Sequence, residues 1–190
     1  MNSQVPSGSQ STRRRAAVWL LPLLLVGGYY ATMAIVRRHV DGVIQGNIGE
    51  ALPAFRLLDG EGDAWTAERL RGRPAVLHFF RSRCHACDAE AAEVRAFEQA
   101  TPPARAAILH VCTDGVLDFP AAETAATIAR KGFARPVLLA DAAFVDAFHT
   151  VRWSNVTPVT YVVDADGRIR QALRGAQTAA GLEAAVAAVE

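Results

Sequence analysis

Two cysteines three positions apart, Cys84 and Cys87, are the residues of this chain best suited to do chemistry. They follow Ala75, Val76, Leu77, His78, Phe79 and Phe80, an apolar run bounded by Pro74 that reads as a buried strand, and they lead into an alanine-rich segment with helical spacing. At such a junction the first thiol faces the unpaired N–H groups and positive end of the helix, which favour thiolate over thiol. The second thiol lies about one turn further in. A pair spaced in this way can close and reopen a small disulfide ring. The same spacing supplies half of a zinc site, but the sequence holds no second Cys-x-x-C or closely spaced histidine pair to complete it. Arg83 and His85 flank Cys84, and a cation at either position favours its thiolate. The third cysteine, Cys112, ends the apolar run 106–112 and reads as a small core residue.

The elements that must position this pair come from the rest of the pattern. With 190 residues the chain can bury a proper core without disulfide staples, and 20 Lys+Arg against 19 Asp+Glu give a formal net charge of +1, no electrostatic basis for a nucleic-acid partner. Residues 1–15, rich in Ser, Gln and Gly and ending in three arginines, predict a disordered cytoplasmic tail. Residues 16–36 carry no charge, and at about 1.5 Å per residue they reach roughly 30 Å, the thickness of a hydrocarbon core. They read as a transmembrane anchor; a cleavable signal peptide would be shorter and finish in a small-x-small site, which residues 31–34 space wrongly. Thr12, Arg13 and Arg14 also resemble a twin-arginine signal. Arginines precede the span and Arg37 and Arg38 follow it, a slight bias toward a cytoplasmic N-terminus. Residues 37–50, with three glycines, read as a tether.

From Ala51 the soluble domain, residues 51–190, alternates strand and helix. Strands are predicted at 53–58, 75–80, 106–112, 137–140, 159–163 and 168–173. Helices are predicted at 85–100, 120–132, 142–150 and 178–189, and a helical turn at 66–71 begins at the cap Thr66. Thr157 and Pro158 stand just before a strand, and a proline there lacks the donor a central ladder needs, so it belongs at an edge, a bulge or a cis bend.

Three motifs in order resemble the membrane-anchored, thioredoxin-like thiol-disulfide oxidoreductases of bacterial envelopes, the TlpA and ResA group. They are Phe55 to Gly60 with Leu70 to Pro74 behind, the cysteine pair with Glu90 three residues on, and Thr157–Pro158 before Tyr161, Asp164 and Gly167. The resemblance covers about residues 51–188 and implies an α/β thioredoxin-like fold, a central mixed sheet flanked by helices, behind a single transmembrane helix. It implies a redox-active Cys84–Cys87 disulfide, Cys84 attacking and Cys87 resolving. Pro158 would be a cis-proline whose loop, with Thr157, His85 and Arg83, meets the substrate. Glu90 would be a proton acceptor, or else an exposed first-turn glutamate favoured by the helix dipole. Related proteins carry a buried acid where His78 stands; a neutral imidazole there could take a proton from Cys87, or be a core histidine satisfied by a carbonyl or water.

Where the group places tryptophan before the first cysteine and proline between the two, this chain has Arg83 and Ala86. A better stabilised thiolate would move the pair from the thioredoxin region near about −270 mV toward that of DsbA at about −120 mV. No metal or organic cofactor is implied. The implied partners are proteins with disulfides or dithiols and an envelope redox partner, met on the periplasmic side of the inner membrane. Two alternatives stand beside this reading. A non-redox binding or chaperone module would have no use for both cysteines, and a peroxiredoxin-like peroxidase would carry Thr where Arg81 stands.

Overall fold

The computed structural model describes residues 9–148 and 156–190, with side chains from residue 22 onward. The chain divides into two units, Met1–Val40 and Asp41–Glu190. In order, the elements are α1 (Ser9–Gln45), β1 (Arg56–Leu58), β2 (Ala64–Thr66), a 3-10 turn (Glu68–Leu70), β3 (Ala75–Phe80), α2 (His85–Ala100) and β4 (Ala107–Cys112). A second 3-10 turn (Asp114–Leu117), α3 (Ala121–Lys131), β5 (Val137–Leu139), α4 (Ala142–Phe148), β6 (Val159–Val163), β7 (Ile169–Arg174) and α5 (Ala179–Ala187) follow.

Five strands form a mixed sheet in the order β5-β4-β3-β6-β7. β3, β4 and β5 run parallel, while β6 and β7 are antiparallel to their neighbours. β3 and β4 are buried at every residue, which explains their unbroken apolar sequences: a strand covered on both faces has no polar side to alternate. On one face, Val76, Ile108 and Val162 meet Val94 and Phe97 of α2 and Leu182, Ala185 and Val186 of α5. On the other, Phe79 and Tyr161 pack against Phe144 and Phe148 of α4 with ring centroids 5.2–5.8 Å apart. Burial pushes the Tyr161 hydroxyl's pKa above its ordinary value, so it is a weaker acid, and Asn47 offers it a donor 3.3 Å away.

The thioredoxin-like α/β fold stands as expected, with differences at the edges. β1 and β2 form a small hairpin that the sequence pattern left half unread, because three-residue strands are too short to show a period. Asp59 closes it, accepting N–H groups of Glu61 and Asp63 and the indole N–H of Trp65. Helix 142–150 ends at Phe148 among the described residues; residues 149–155 lie outside them.

At the N-terminus, residues 1–8 of the expected disordered tail lie outside the described residues, and the backbone from Ser9 is already helical. The expected tether 37–50 is not loose. α1 continues through it to Gln45, and residues from Asp41 belong to the compact unit. Gln45 donates to Ala172 O at 2.8 Å, and the Gly49 and Leu52 N–H groups reach Ile169 O and Gly167 O at 2.7 Å each. Glycine spacing concealed this, because the segment docks through a few scattered side chains, among them the buried Ile44, and through backbone groups, neither of which makes a periodic pattern. Among the described residues no helix is long and apolar enough to cross a membrane.

The aromatic cluster sets one test. Phe79→Ala should cost about 3–5 kcal/mol of unfolding free energy by denaturant titration, against about 0.5 kcal/mol or less for the exposed Leu139→Ala.

Candidate redox site

β3 ends at Phe80, and four residues later Cys84 caps α2. The turn is sharp: Arg83 takes a left-handed conformation (φ 51°), uncommon for a residue with a Cβ. Beyond it, Cys84 is extended, and its sulfur accepts the Cys87 N–H at 3.2 Å. Cys84 and Cys87 are joined in a disulfide. Cys84 keeps 6% exposure and Cys87 none, so an incoming thiolate finds the first sulfur. The helix N-terminus that holds Cys84 Sγ is also the group that would stabilise its thiolate once the ring opens.

The Thr157–Pro158 peptide bond is cis, and its loop lies against Cys84. Thr157 Oγ1 donates toward Cys84 Sγ at 3.7 Å, and the Thr157 carbonyl oxygen is 3.8 Å from it. Arg81 Nε donates to Thr157 Oγ1 at 3.0 Å, tying this loop to the strand that feeds the cysteines. The structure thus brings Cys84, Cys87, Thr157 and Pro158 together, while His85 is exposed at the start of α2.

Arg83 is placed differently from expectation. Its guanidinium makes a fork onto both carboxylate oxygens of Glu123, at 2.7 and 2.6 Å, and lies 5.0 Å over the Phe119 ring. A cation engaged in this way, and exposed to water, has little field left for Cys84. The cation that faces the pair is instead Lys131, the last residue of α3, 2% exposed, whose Nζ donates to Cys87 O at 2.7 Å and Asp88 Oδ1 at 2.8 Å. That hydrogen bond holds the Asp88 carboxyl below its usual range. Sequence reading missed Lys131 because forty-odd residues separate it from the pair; only its place on the inward side of an amphipathic helix hinted at burial.

Glu90 is neither exposed nor free. It is 2% exposed, with Oε1 2.8 Å from His78 Nε2 and Oε2 accepting the Gln177 N–H at 3.0 Å. His78 Nδ1 in turn lies 3.0 Å from His110 Nδ1. Both nitrogens of His78 are therefore engaged, as for a buried core histidine whose partners are a carboxyl and a second imidazole.

The segment before Cys84 is anchored by Asp114, wholly buried, which accepts the Ser82 N–H at 2.7 Å, the Ser82 hydroxyl at 2.6 Å and the Thr124 hydroxyl at 2.8 Å. Cys112 lies in one apolar cluster with Phe80 and the cysteine pair, and burial pushes its thiol up to about 12, which suits a core residue and not a nucleophile. No group of side chains among the described residues could hold a metal ion.

Comparisons agree with this geometry. The model of the AhpC/TSA family matches residues 48–172. No curated protein matches the sequence. Among solved structures, the chain resembles a thioredoxin-family thiol:disulfide interchange protein of Chlorobium tepidum at 17% identity and TM-score 0.61, covering 73% of this chain and 94% of that one. StoA of Bacillus subtilis aligns at 19% identity and TM-score 0.60, covering 70% and 96%. A secreted Mycobacterium tuberculosis disulfide oxidoreductase homologous to E. coli DsbE aligns at 22% and 0.58, covering 71% and 96%. These likenesses establish the fold; the family and the closed Cys84–Cys87 pair support oxidoreductase activity.

Lys131→Met should raise the Cys84 thiol pKa, read by thiolate absorbance, whereas Arg83→Ala should move it less. Loss of the partner of Cys87 O should also cost about 1–3 kcal/mol at neutral pH. Because the Asp88 pKa is depressed in the fold, its share of that stability is present above the unfolded value of about 3.9 and lost as pH falls through the folded value. The gap between wild type and variant should therefore narrow in urea titrations below about pH 4.

Proposed function

The chain belongs to the AhpC/TSA family, and from that membership and the closed cysteine pair we propose that it is a membrane-tethered envelope thiol-disulfide oxidoreductase of the TlpA and ResA kind, acting on disulfides or dithiols of other proteins. The observation that carries the reading is a disulfide at a helix N-terminus whose first cysteine, at 6% exposure, is the more accessible of the two, with a cis-proline loop 3.7 Å away.

The reduced protein attacks through the Cys84 thiolate. A new S–S bond forms to one substrate sulfur and the other leaves as a thiolate. Cys87 then loses its proton and attacks Cys84 Sγ, releasing the substrate as a dithiol and closing the ring. Run backward, the same steps oxidise a dithiol, so the partner's potential sets the direction. A substrate segment laid along the Thr157–Pro158 loop would reach the exposed edge of Cys84. The positive end of α2 and the buried Lys131, whose charge Asp88 partly offsets, lie near the pair, and both favour a thiolate and hence an oxidising disulfide. A peroxidase reading has against it Arg81, whose guanidinium is engaged with Thr157.

For the tether, the support is residues 16–36, free of charge, and the exposure on α1 of Leu23, Leu24, Leu25, Val26, Tyr29, Tyr30 and Ile35. Apolar side chains in such number call for a nonaqueous environment, and a bilayer supplies one. The redox domain then stands in the periplasm of a bacterial inner membrane.

Two outcomes check the proposal. Cys87→Ser should accumulate mixed disulfides through Cys84 that wild type does not, while Cys84→Ser should abolish insulin reduction; equal turnover by wild type and Cys84→Ser would end the redox reading. A reporter active only outside the cytoplasm should be active when fused after Glu190, and the full-length protein should stay with membranes after alkaline carbonate washing. Release by carbonate, or a mature protein starting near Ile35, would end the tether.

A further inference from the structure

The chain leaves β7 at Arg174 and enters α5 after Thr178, and the turn between them backs the Thr157–Pro158 loop. Its first residue is a joint: Gly175 has a left-handed φ of 85°, and without a side chain it can swing at little cost. Two hydrogen bonds hold it, one on each side. The Gly175 N–H donates to Pro158 O at 2.9 Å, and the Gly175 carbonyl accepts from Gln177 Nε2 at 2.8 Å. The amide of Gln177 has one workable orientation, because Nε2 faces two carbonyls, Gly175 O and, at 3.4 Å, Arg174 O, where an oxygen would meet only lone pairs.

Gln177 can hold that carbonyl because it is itself held. Its backbone N–H donates to Glu90 Oε2 at 3.0 Å, and the Ala179 N–H donates to Glu93 Oε2 at 2.9 Å. A carboxyl oxygen keeps a lone pair in either charge state, so the grip on Gln177 does not depend on the protonation of Glu90. Both glutamates stand on α2, and they serve the entrance to α5, whose own first turn carries no acid. The path ends at the redox pair. Glu90 holds Gln177, Gln177 holds Gly175, and Gly175 holds Pro158, whose neighbour Thr157 donates toward Cys84 Sγ at 3.7 Å.

We infer that Gln177 is a positioning residue for disulfide exchange, which locks the Gly175 joint and so keeps Thr157 and Pro158 seated over Cys84 for an extended stretch of a substrate protein. The inference rests on the redox reading for its purpose. Gln177 hydrogen-bonds neither sulfur, and it acts on where the substrate lies, so its loss should weaken substrate binding more than sulfur chemistry.

Hydrogen exchange and turnover of the full-length protein test this together. Gln177→Ala removes the donor, and Gln177→Glu keeps the size of the side chain but turns a carboxylate on the two carbonyls. In both variants the Gly175 amide should exchange about threefold to tenfold faster than in wild type, as for the loss of one hydrogen bond. The amide of Tyr161, on a strand paired on both sides, should shift less. Insulin reduction with dithiothreitol as electron source should show KM raised by a similar factor and kcat lowered less. Reaction of Cys84 with hydroxyethyl disulfide, which has no peptide segment to lay along the loop, should slow less than insulin reduction. Unchanged Gly175 exchange in both variants, or equal losses on insulin and on the small disulfide, would overturn the inference. A wild type that leaves insulin oxidised would end the redox reading and the purpose of the joint with it, whereas unchanged Gly175 exchange in an active enzyme would strike Gln177 alone.

Discussion

The register between β3 and β4 is the constraint on which the site depends. Pairing Ala75 with Ala107 through to Phe80 with Cys112 sets His78 beside His110 and brings both strands to the same level at their C-terminal ends. From that level Ser82 reaches Asp114, and the turn through Arg83 can deliver Cys84 to the start of α2. A slip by one residue would turn both histidines to the α4 face and expose their apolar neighbours to polar partners, so burial on both faces holds the register firmly.

Around α2 the structure places three buried charges, and each is met by several partners. Asp114 has three donors, Lys131 a carbonyl and a carboxylate, and Glu98 an imidazole and two backbone N–H groups. Burying a charge costs several kcal/mol unless hydrogen bonds replace its water, and here they do. The result is an ordered polar scaffold beneath a helix whose N-terminus carries the disulfide. Oriented groups of this kind need no rearrangement when a thiolate appears. Against that base, Arg81 Nε donates to the Thr157 hydroxyl, which itself faces Cys84 Sγ, and the Gly175 N–H donates to Pro158 O.

Much of this was legible beforehand where a local pattern carries the information. The cysteine spacing, the apolar run before it and the proline before β6 are each properties of a few neighbouring residues. Partners were not legible in the same way. Arg83 read as a cation beside Cys84, and at the level of sequence it is one; Glu123, on α3, turns it away. Glu90 read as proton acceptor or surface residue, because helical position alone does not report that a strand histidine waits beneath it. A signal for the histidine pair was present and easy to pass over: His78 and His110 are each fourth in strands beginning with Ala, a β-branched residue and Leu, and each lies twelve residues from its glutamate.

By itself, then, the sequence determined the chemistry: a thiol pair at a helix start, a core large enough to support it, and a charge-free stretch near the N-terminus. Those follow from residue type and short spacing, which the folded chain cannot alter. The tertiary structure alone decided the electrostatics of the pair, choosing Lys131 over Arg83 as its cation and joining two glutamates through two histidines. It also turned residues 41–50 from a tether into part of the domain. Coulomb and hydrogen-bond energies depend on distances of a few ångströms between residues far apart in sequence, and only the packing of strands and helices sets those distances.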